Sequence, residues 1–355
     1  MHLPEEESRW PVSRLLTVII TTSPTPSAPS VELVSAILSS FRIHCEDLLS
    51  CRFIVVFDTY DHVAPKARLK KGCVNPDGAK SFNLYKKNVK ELVLKEICPL
   101  HDITDLCLGG GKAEFGYSGV ESNFVPFSTT QTADGRVTFI EPSKRLGFGL
   151  AVRSALRMTE TCFVWVQQHD WPLVSDIPLE PLVDIMQVSG SDESTPVKYV
   201  CIPSVRMLSY ADSAHVSEFP VLRELTASLK RSFVTGSGVS IPLTPLFFWH
   251  DKPHIASTEH YLSRVFPTRI SIPRGAFIED TIGQRARNQM KEGAWAKWAS
   301  WLYYPDEGRR LCLRHLCGRT WEGAGRESEK KAAWMARNAE RSITQVDRSS
   351  SSNPR

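Results

Sequence analysis

The 355 residues contain no C-x-x-C pair, no apolar run long enough to cross a membrane, and no internal repeat. Each absence removes a class of protein. The nine cysteines are odd in number and scattered along the chain, which argues against a disulfide scaffold and against a structural zinc site, and for a reducing compartment. The apolar segment from Leu15 to Ile20 is too short for a signal core or a bilayer span. The amino terminus, MHLPEEESRW, is acidic where a signal peptide is basic. A cytoplasmic protein without a transmembrane segment is expected. The formal net charge of +4 is far from the clustered basicity of a nucleic-acid binder, so no nucleic-acid partner is expected. That charge suits an anionic small molecule.

What is present reads as a soluble α/β chain. A hydrophobic content of 42% with 23% charged residues supplies a large core in one domain or two coupled lobes. LLTVIIT (Leu15 to Thr21) predicts a buried strand, the Ser/Pro-rich TSPTPSAPS a loop, Val31 to Phe41 a helix capped by Ser30, and RFIVVFD (Arg52 to Asp58) a second buried strand. Strand, helix, strand in this order predicts a parallel sheet with sites at the carboxyl ends of its strands. Further along, NLYKKNVKELVLKEI predicts a helix with Leu84, Val89, Leu92 and Ile97 on one side. RVTFIE predicts a strand, RLGFGLAVRSAL a helix, CFVWVQQHD a strand, and VKYVCIP another strand. Residues 1–14 read as an amino-terminal arm, 15–322 as the domain, and 323–355 as a polar tail that is disordered or an isolated helix.

Four stretches carry possible chemistry. Gln168-His169-Asp170 ends a strand, so His169 and Asp170 are either metal ligands or a strand end bonded to the next loop. Glu279 and Asp280 open a helix, as a catalytic pair or as acids complementing the helix dipole. HDKPH (His250 to His254) offers two imidazoles and a carboxylate within five residues, without helical spacing; a polar loop is the simpler reading. GGGK (Gly109 to Lys112) lacks the flanking residues of a phosphate-binding Walker loop and reads as a turn. The tryptophans at 295, 298 and 301 read as core more readily than as a sugar platform.

Taken together, TVIITTSPTPSAPS, FIVVFD, RLGFGLAVRSAL, CFVWVQQHD and FIEDTIGQRAR resemble, in order and over about residues 15–304, a GT-A type nucleotide-sugar glycosyltransferase of the family 2-like group. The resemblance implies a Rossmann-like α/β fold with a mixed, mostly parallel sheet flanked by helices. It also implies transfer of a sugar from a nucleoside-diphosphate-sugar donor to an unknown carbohydrate, lipid or protein acceptor. Carried residue by residue, it places the Ser/Thr loop (Thr21, Thr22, Ser23) and Arg153 on the donor and Asp58, or Asp61 in its place, on the nucleotide base. His169 and Asp170 take a divalent metal, Mn²⁺ or Mg²⁺, or the diphosphate. Glu279 or Asp280 becomes the base for the acceptor hydroxyl. The aromatic WAKWASWLYYP and the basic RHLCGRTW fall where such enzymes close over the donor, with Arg314, His315 and Arg319 as diphosphate contacts. The family's Asp-x-Asp stands here as Gln168-His169-Asp170, with one carboxylate replaced by an amide. Two other classes remain open: a non-catalytic nucleotide-sugar binding protein on the same fold, and a metal-dependent hydrolase built on HDKPH.

Overall fold

All seven residues of Leu16–Thr22 are buried, and a strand with no solvent-facing side needs partners on both edges and cover on both faces. The computed structural model, which describes residues 10–335 and 337, provides both. In chain order the strands are β1 (Leu16–Thr22), β2 (Arg52–Phe57), β3 (His62–Val63), β4 (Cys73–Val74), β5 (Cys107–Glu114), β6 (Phe124–Gln131), β7 (Val137–Pro142), β8 (Phe163–Gln168), β9 (Tyr199–Cys201), β10 (Arg231–Val234), β11 (Ser240–Pro245), β12 (His254–Ser257) and β13 (Ser300–Tyr303). The helices that frame the site are α1 (Val12–Leu15), α2 (Glu32–His44), α3 (Pro76–Ile97), α4 (Phe148–Leu156) and α5 (Leu179–Ser189).

One eleven-stranded sheet runs in the order β10-β11-β13-β9-β12-β8-β1-β2-β7-β6-β5. Its centre, β7-β2-β1-β8, is parallel throughout, with Ile19 paired to Ile54 on one side and Val166 on the other. β12 enters antiparallel between β8 and β9, and β9 is parallel to β13. Followed through the ladders, β5, β7, β2, β1, β8, β9, β13 and β10 run one way and β6, β12 and β11 the other. The expected mixed, mostly parallel Rossmann-like sheet is thus present.

Several local expectations change. α3 begins at Pro76, well before the predicted start, because Asn75 caps it by accepting the Gly78 N–H at 2.7 Å and Pro76 fits the first turn. Its buried face is Phe82, Tyr85, Val89, Val93 and Ile97, while Leu84 is 48% exposed. The GGGK stretch is no turn; it lies inside β5, an edge strand paired antiparallel to β6. The glycines there tolerate close neighbours: a Cβ on Gly111 would meet the Phe127 ring at 2.5 Å. Trp295, Trp298 and Trp301 are all buried, with Trp301 in β13. The WAKWASWLYYP segment therefore belongs to the core and the sheet and does not close over a ligand. Residues 324–335 are helical, and Trp334 and Met335 on them are exposed. The Ser/Asn/Pro tail (347–355) lies outside the described residues, as do residues 1–9 of the arm. Among the described residues, no helix is long and apolar enough to cross a membrane.

Candidate active site

The parallel strands end side by side, and the chain leaves each of them at one place. Asp58 N–H bonds Thr22 O at 2.8 Å just past β2, and His169 N–H bonds Thr21 O at 3.1 Å just past β8. The opening between these ends is a cleft of about 620 Å³. Of the residues expected there, Thr21, Thr22, Ser23, Asp58, His169, Asp170, Glu279, His315 and Arg319 line it; Arg153, Arg314 and Asp280 do not. Residues separated by up to three hundred positions in sequence thus meet at one strand-end crevice, where open α/β sheets bind ligands.

Asp58 is 8% exposed, and both its oxygens hold backbone: Oδ1 accepts the Leu146 N–H at 2.6 Å and Oδ2 the Gly147 N–H at 3.1 Å. Burial pushes its carboxyl up to about 6 despite those bonds. It fastens the entrance of α4 to the end of β2. Gly147 is required there: its φ is +81°, and a Cβ would sit 2.4 Å from Gly275 Cα. Gly275 N–H in turn bonds Leu146 O at 2.6 Å. This back-to-back contact of two glycine turns brings the segment that begins at Glu279 to the cleft wall.

His169 is held by a relay. Ser23 N–H lies 3.3 Å from Nδ1, Thr22 Oγ1 2.8 Å from the same nitrogen, and Tyr85 OH 2.6 Å from Thr22 Oγ1. A nitrogen that receives a backbone N–H is unprotonated, so the neutral ring carries its proton on Nε2; the tautomer is assigned from these neighbours. Burial keeps the imidazole neutral, below its ordinary pKa. Nε2 faces Gly318 so closely that a Cβ there would stand 2.4 Å away. Nδ1 is therefore occupied and Nε2 is crowded by the Gly318 backbone, which leaves His169 poorly placed to hold a metal ion. It is a post between β1 and the segment 312–323.

Asp170 fits better. Its Oδ2 accepts the Gly318 N–H at 2.8 Å and the His315 Nε2–H at 3.1 Å, while Oδ1 has no protein partner among the described residues. Burial raises this carboxyl, but His315, His169 and the Gly318 N–H outweigh it, leaving the group ionised below its ordinary range. His315 stacks flat on Trp171 at 4.2 Å between centroids and 10° between planes. The segment carrying His315 is tied back by Leu316 N–H to Asp170 O and Arg314 N–H to Pro172 O. It lays His315 and Arg319 across the cleft, with the Arg319 guanidinium over the Phe277 ring at 4.9 Å. Arg145, directly before α4, adds a second guanidinium.

On the opposite wall, Glu279 Oε2 lies 3.5 Å from His250 Nδ1 and 3.5 Å from Asp251 N, and Glu279 N–H returns a bond to Asp251 Oδ2 at 3.3 Å. Burial raises Glu279, yet His250, Lys252 and the Asp251 N–H together hold it below its ordinary value, ionised at neutral pH. Asp251 is pushed well above its usual range by burial and by Glu279. HDKPH thus serves as the seat of Glu279. Its imidazoles diverge: His254 is fully buried against Tyr199 at 4.7 Å and donates its Nδ1–H to Lys252 O, 2.6 Å away. Among the described residues no group of three or more His, Cys, Asp or Glu side chains converges as a metal centre.

Arg153 lies in the interior of α4, 2% exposed, its two terminal nitrogens without partners among the described residues. It packs beneath the sheet and does not reach the strand-end cleft. Sequence reasoning missed Arg145, Arg206 and Trp171. Arg145 had a signal, standing just before the Gly-bearing helix, and Trp171 had one, directly following Asp170; Arg206 is brought in by folding.

The donor set admits a divalent ion in one way: Asp170 Oδ1 contributes a hard oxygen, and the remaining ligands must come from elsewhere, a bound diphosphate in particular.

No protein-family model matches the chain, and no curated protein sequence matches it. Solved structures do. The chain is similar to the mannosyltransferase PcManGT from Pyrobaculum calidifontis, in complex with GDP-Man and Mn²⁺, at 12% identity over 86% of this chain and 62% of that one, with a TM-score of 0.37. It is similar to S. aureus TarS 1-349 in complex with UDP-GlcNAc at 11% identity over 84% and 57%, TM-score 0.40. It is also similar to glucosyl-3-phosphoglycerate synthase from Mycobacterium tuberculosis at 12% identity over 82% and 70%, TM-score 0.32. The chain spans less than two thirds of the length of the first two. The likeness is one of fold alone.

Proposed function

We propose that the chain is a glycosyltransferase that takes a nucleoside-diphosphate sugar in the strand-end cleft and passes the sugar to an acceptor entering beside Glu279. The observation that supports it most is the convergence, in one 620 Å³ cleft, of the β1 loop, Asp170, Arg145, His315, Arg319 and Glu279. Sugar transfer needs a stabilised leaving diphosphate, a base and a dry site. Arg145, His315 and Arg319 offset the charge that grows on the leaving phosphate. Ser23 offers its hydroxyl at the end of β1, where Thr21 and Thr22 form the adjoining wall. Asp170 would hold a divalent ion arriving with the donor, and that ion would supply further charge stabilisation. Glu279, ionised and with Oε1 unpartnered among the described residues, takes the acceptor proton, and its position between the cleft and a neighbouring pocket favours it over Asp280.

The test has two arms. Calorimetry with UDP, GDP and their sugars, with and without Mn²⁺, reads donor binding; release of free nucleotide reads turnover. Glu279→Gln should keep donor affinity and lower turnover by about 10²–10⁴-fold. Binding without turnover in the parent would leave a nucleotide-sugar binding protein; no nucleotide binding at all would end the proposal.

A further inference from the structure

Beyond Glu279 the cleft opens into a second pocket of about 300 Å³ whose wall it shares through Arg206, Lys252 and Glu279. Met207, Tyr210, Phe247 and Phe248 give this pocket an apolar body. Around it stand Arg206, Lys252, His215 and Arg287, against Glu279 and Asp280. Glu279 already faces His250 and the Asp251 N–H. The two arginines are not neutralised: neither Arg206 nor Arg287 forms an ion pair among the described residues, and Arg287 only overlies the Phe219 ring at 5.8 Å. A guanidinium held on a pocket wall without a carboxylate partner is an open fork for a planar or tetrahedral anion.

Resting on the donor reading above, we infer that this pocket holds the acceptor, and that the acceptor is a small hydroxy compound carrying a phosphate or carboxylate. Its anionic group sits between Arg206 and Arg287, which places its hydroxyl toward Glu279 and the donor cleft. The volume suits a compound of a few carbons and one such group. In the transfer itself the acceptor oxygen bonds the sugar's anomeric carbon, the bond from that carbon to the diphosphate breaks with its electron pair leaving on the phosphate, and the hydroxyl proton passes to Glu279.

The experiment titrates the full chain with glycerol 3-phosphate, glycerate and glycerol, first alone and then with saturating UDP. Arg287→Gln is the deciding variant, since Arg287 lines the second pocket and not the donor cleft. Glycerol 3-phosphate or glycerate should bind where glycerol does not, and Arg287→Gln should weaken that binding about tenfold or more. UDP affinity should be unchanged, and Arg287→Lys should recover part of the loss. Which of the two anions binds more tightly distinguishes a phosphate acceptor from a carboxylate one. Equal binding of glycerol, an undiminished affinity in Arg287→Gln, or displacement of the anion by UDP would each overturn the inference. The titration without nucleotide reads the pocket independently, so a chain that bound the anion at Arg287 but no UDP would fail the donor reading alone.

Discussion

Replacing Gly318 with alanine tests how the cleft is roofed. The new methyl group would lie 2.4 Å from His169 Nε2, 3.0 Å from Cδ2 and 3.2 Å from Asp170 Cβ. His169 has no room to yield, because Thr22 and Ser23 hold its other nitrogen and the ring is 7% exposed. The segment 312–323 must therefore rise, loosening the 2.8 Å bond from Gly318 N–H to Asp170. Overpacking of this kind costs about 1–3 kcal/mol, which multiplies the population of the raised segment roughly 5- to 150-fold. Trypsin reads that population at Arg314 and Arg319, since cleavage of a transiently opened segment follows its equilibrium when closing is fast. Cutting there should accelerate by that factor, and UDP should slow it by holding the segment down. His169→Ala makes space for the methyl group, so the double variant should open less than the sum of the two single effects, by 0.5 kcal/mol or more. Unchanged cleavage in Gly318→Ala, or strict additivity in the double variant, would refute the packing argument.

Acid should unfold the protein earlier than its carboxylates alone require. Burial holds His250 at about 4, His254 at about 3 and His260 at about 4, whereas in the unfolded chain each titrates near 6.5. Below that value the unfolded state binds more protons, so stability present above pH 6.5 is lost as pH falls, by up to about 1.4 kcal/mol per pH unit for each histidine. Urea melts at pH 7, 6 and 5 should show the decline, and equal midpoints would count against it. Asp58 has the opposite sign: with its folded pKa raised to about 6, its contribution is greatest at low pH and fades as pH rises from about 4 to 6. The stability of the parent relative to Asp58→Asn should therefore grow on going from pH 6.5 to 4, by up to about 3 kcal/mol; a difference that stays flat with pH would contradict the assignment.

What the sequence disclosed followed from how continuous each pattern is. β1, β2 and β8 are buried on both faces, so LTVIITT, RFIVVF and FVWVQQ stand out as apolar runs. The acids and Thr/Ser residues that follow them could then be placed at strand ends. β5 and β12 escaped notice for opposite reasons: CLGGGKAE is an exposed edge with little apolar content, and HIAS is too short to show alternation although three of its four residues are buried. His169 was legible as a site residue but not in its role. Its tautomer is fixed by Ser23 and by a relay from Tyr85, a residue of α3 that no local pattern links to it. Arg153 misled because α4 is buried along its whole length, so only Phe148 and Ala151 of that helix meet the cleft while Arg153 is enclosed elsewhere.

The roof over the cleft also fixes an order of events during synthesis. Asp170 and Gly318 are 148 residues apart and are joined by a single bond at the heart of the site. At about 5–20 residues per second a ribosome takes roughly 7–30 s to deliver the second after the first. Through that interval β1, β2 and β8 can assemble while Asp170 lacks the histidine and backbone amide that keep it ionised when buried. A nascent chain with its sheet complete still presents an open, electrically unbalanced crevice, so the nucleotide binding proposed above would be acquired only when the segment bearing His315 and Arg319 has been made. Ligand affinity, measured on ribosome-bound chains of increasing length, would rise in one late step rather than in proportion to the sheet already formed.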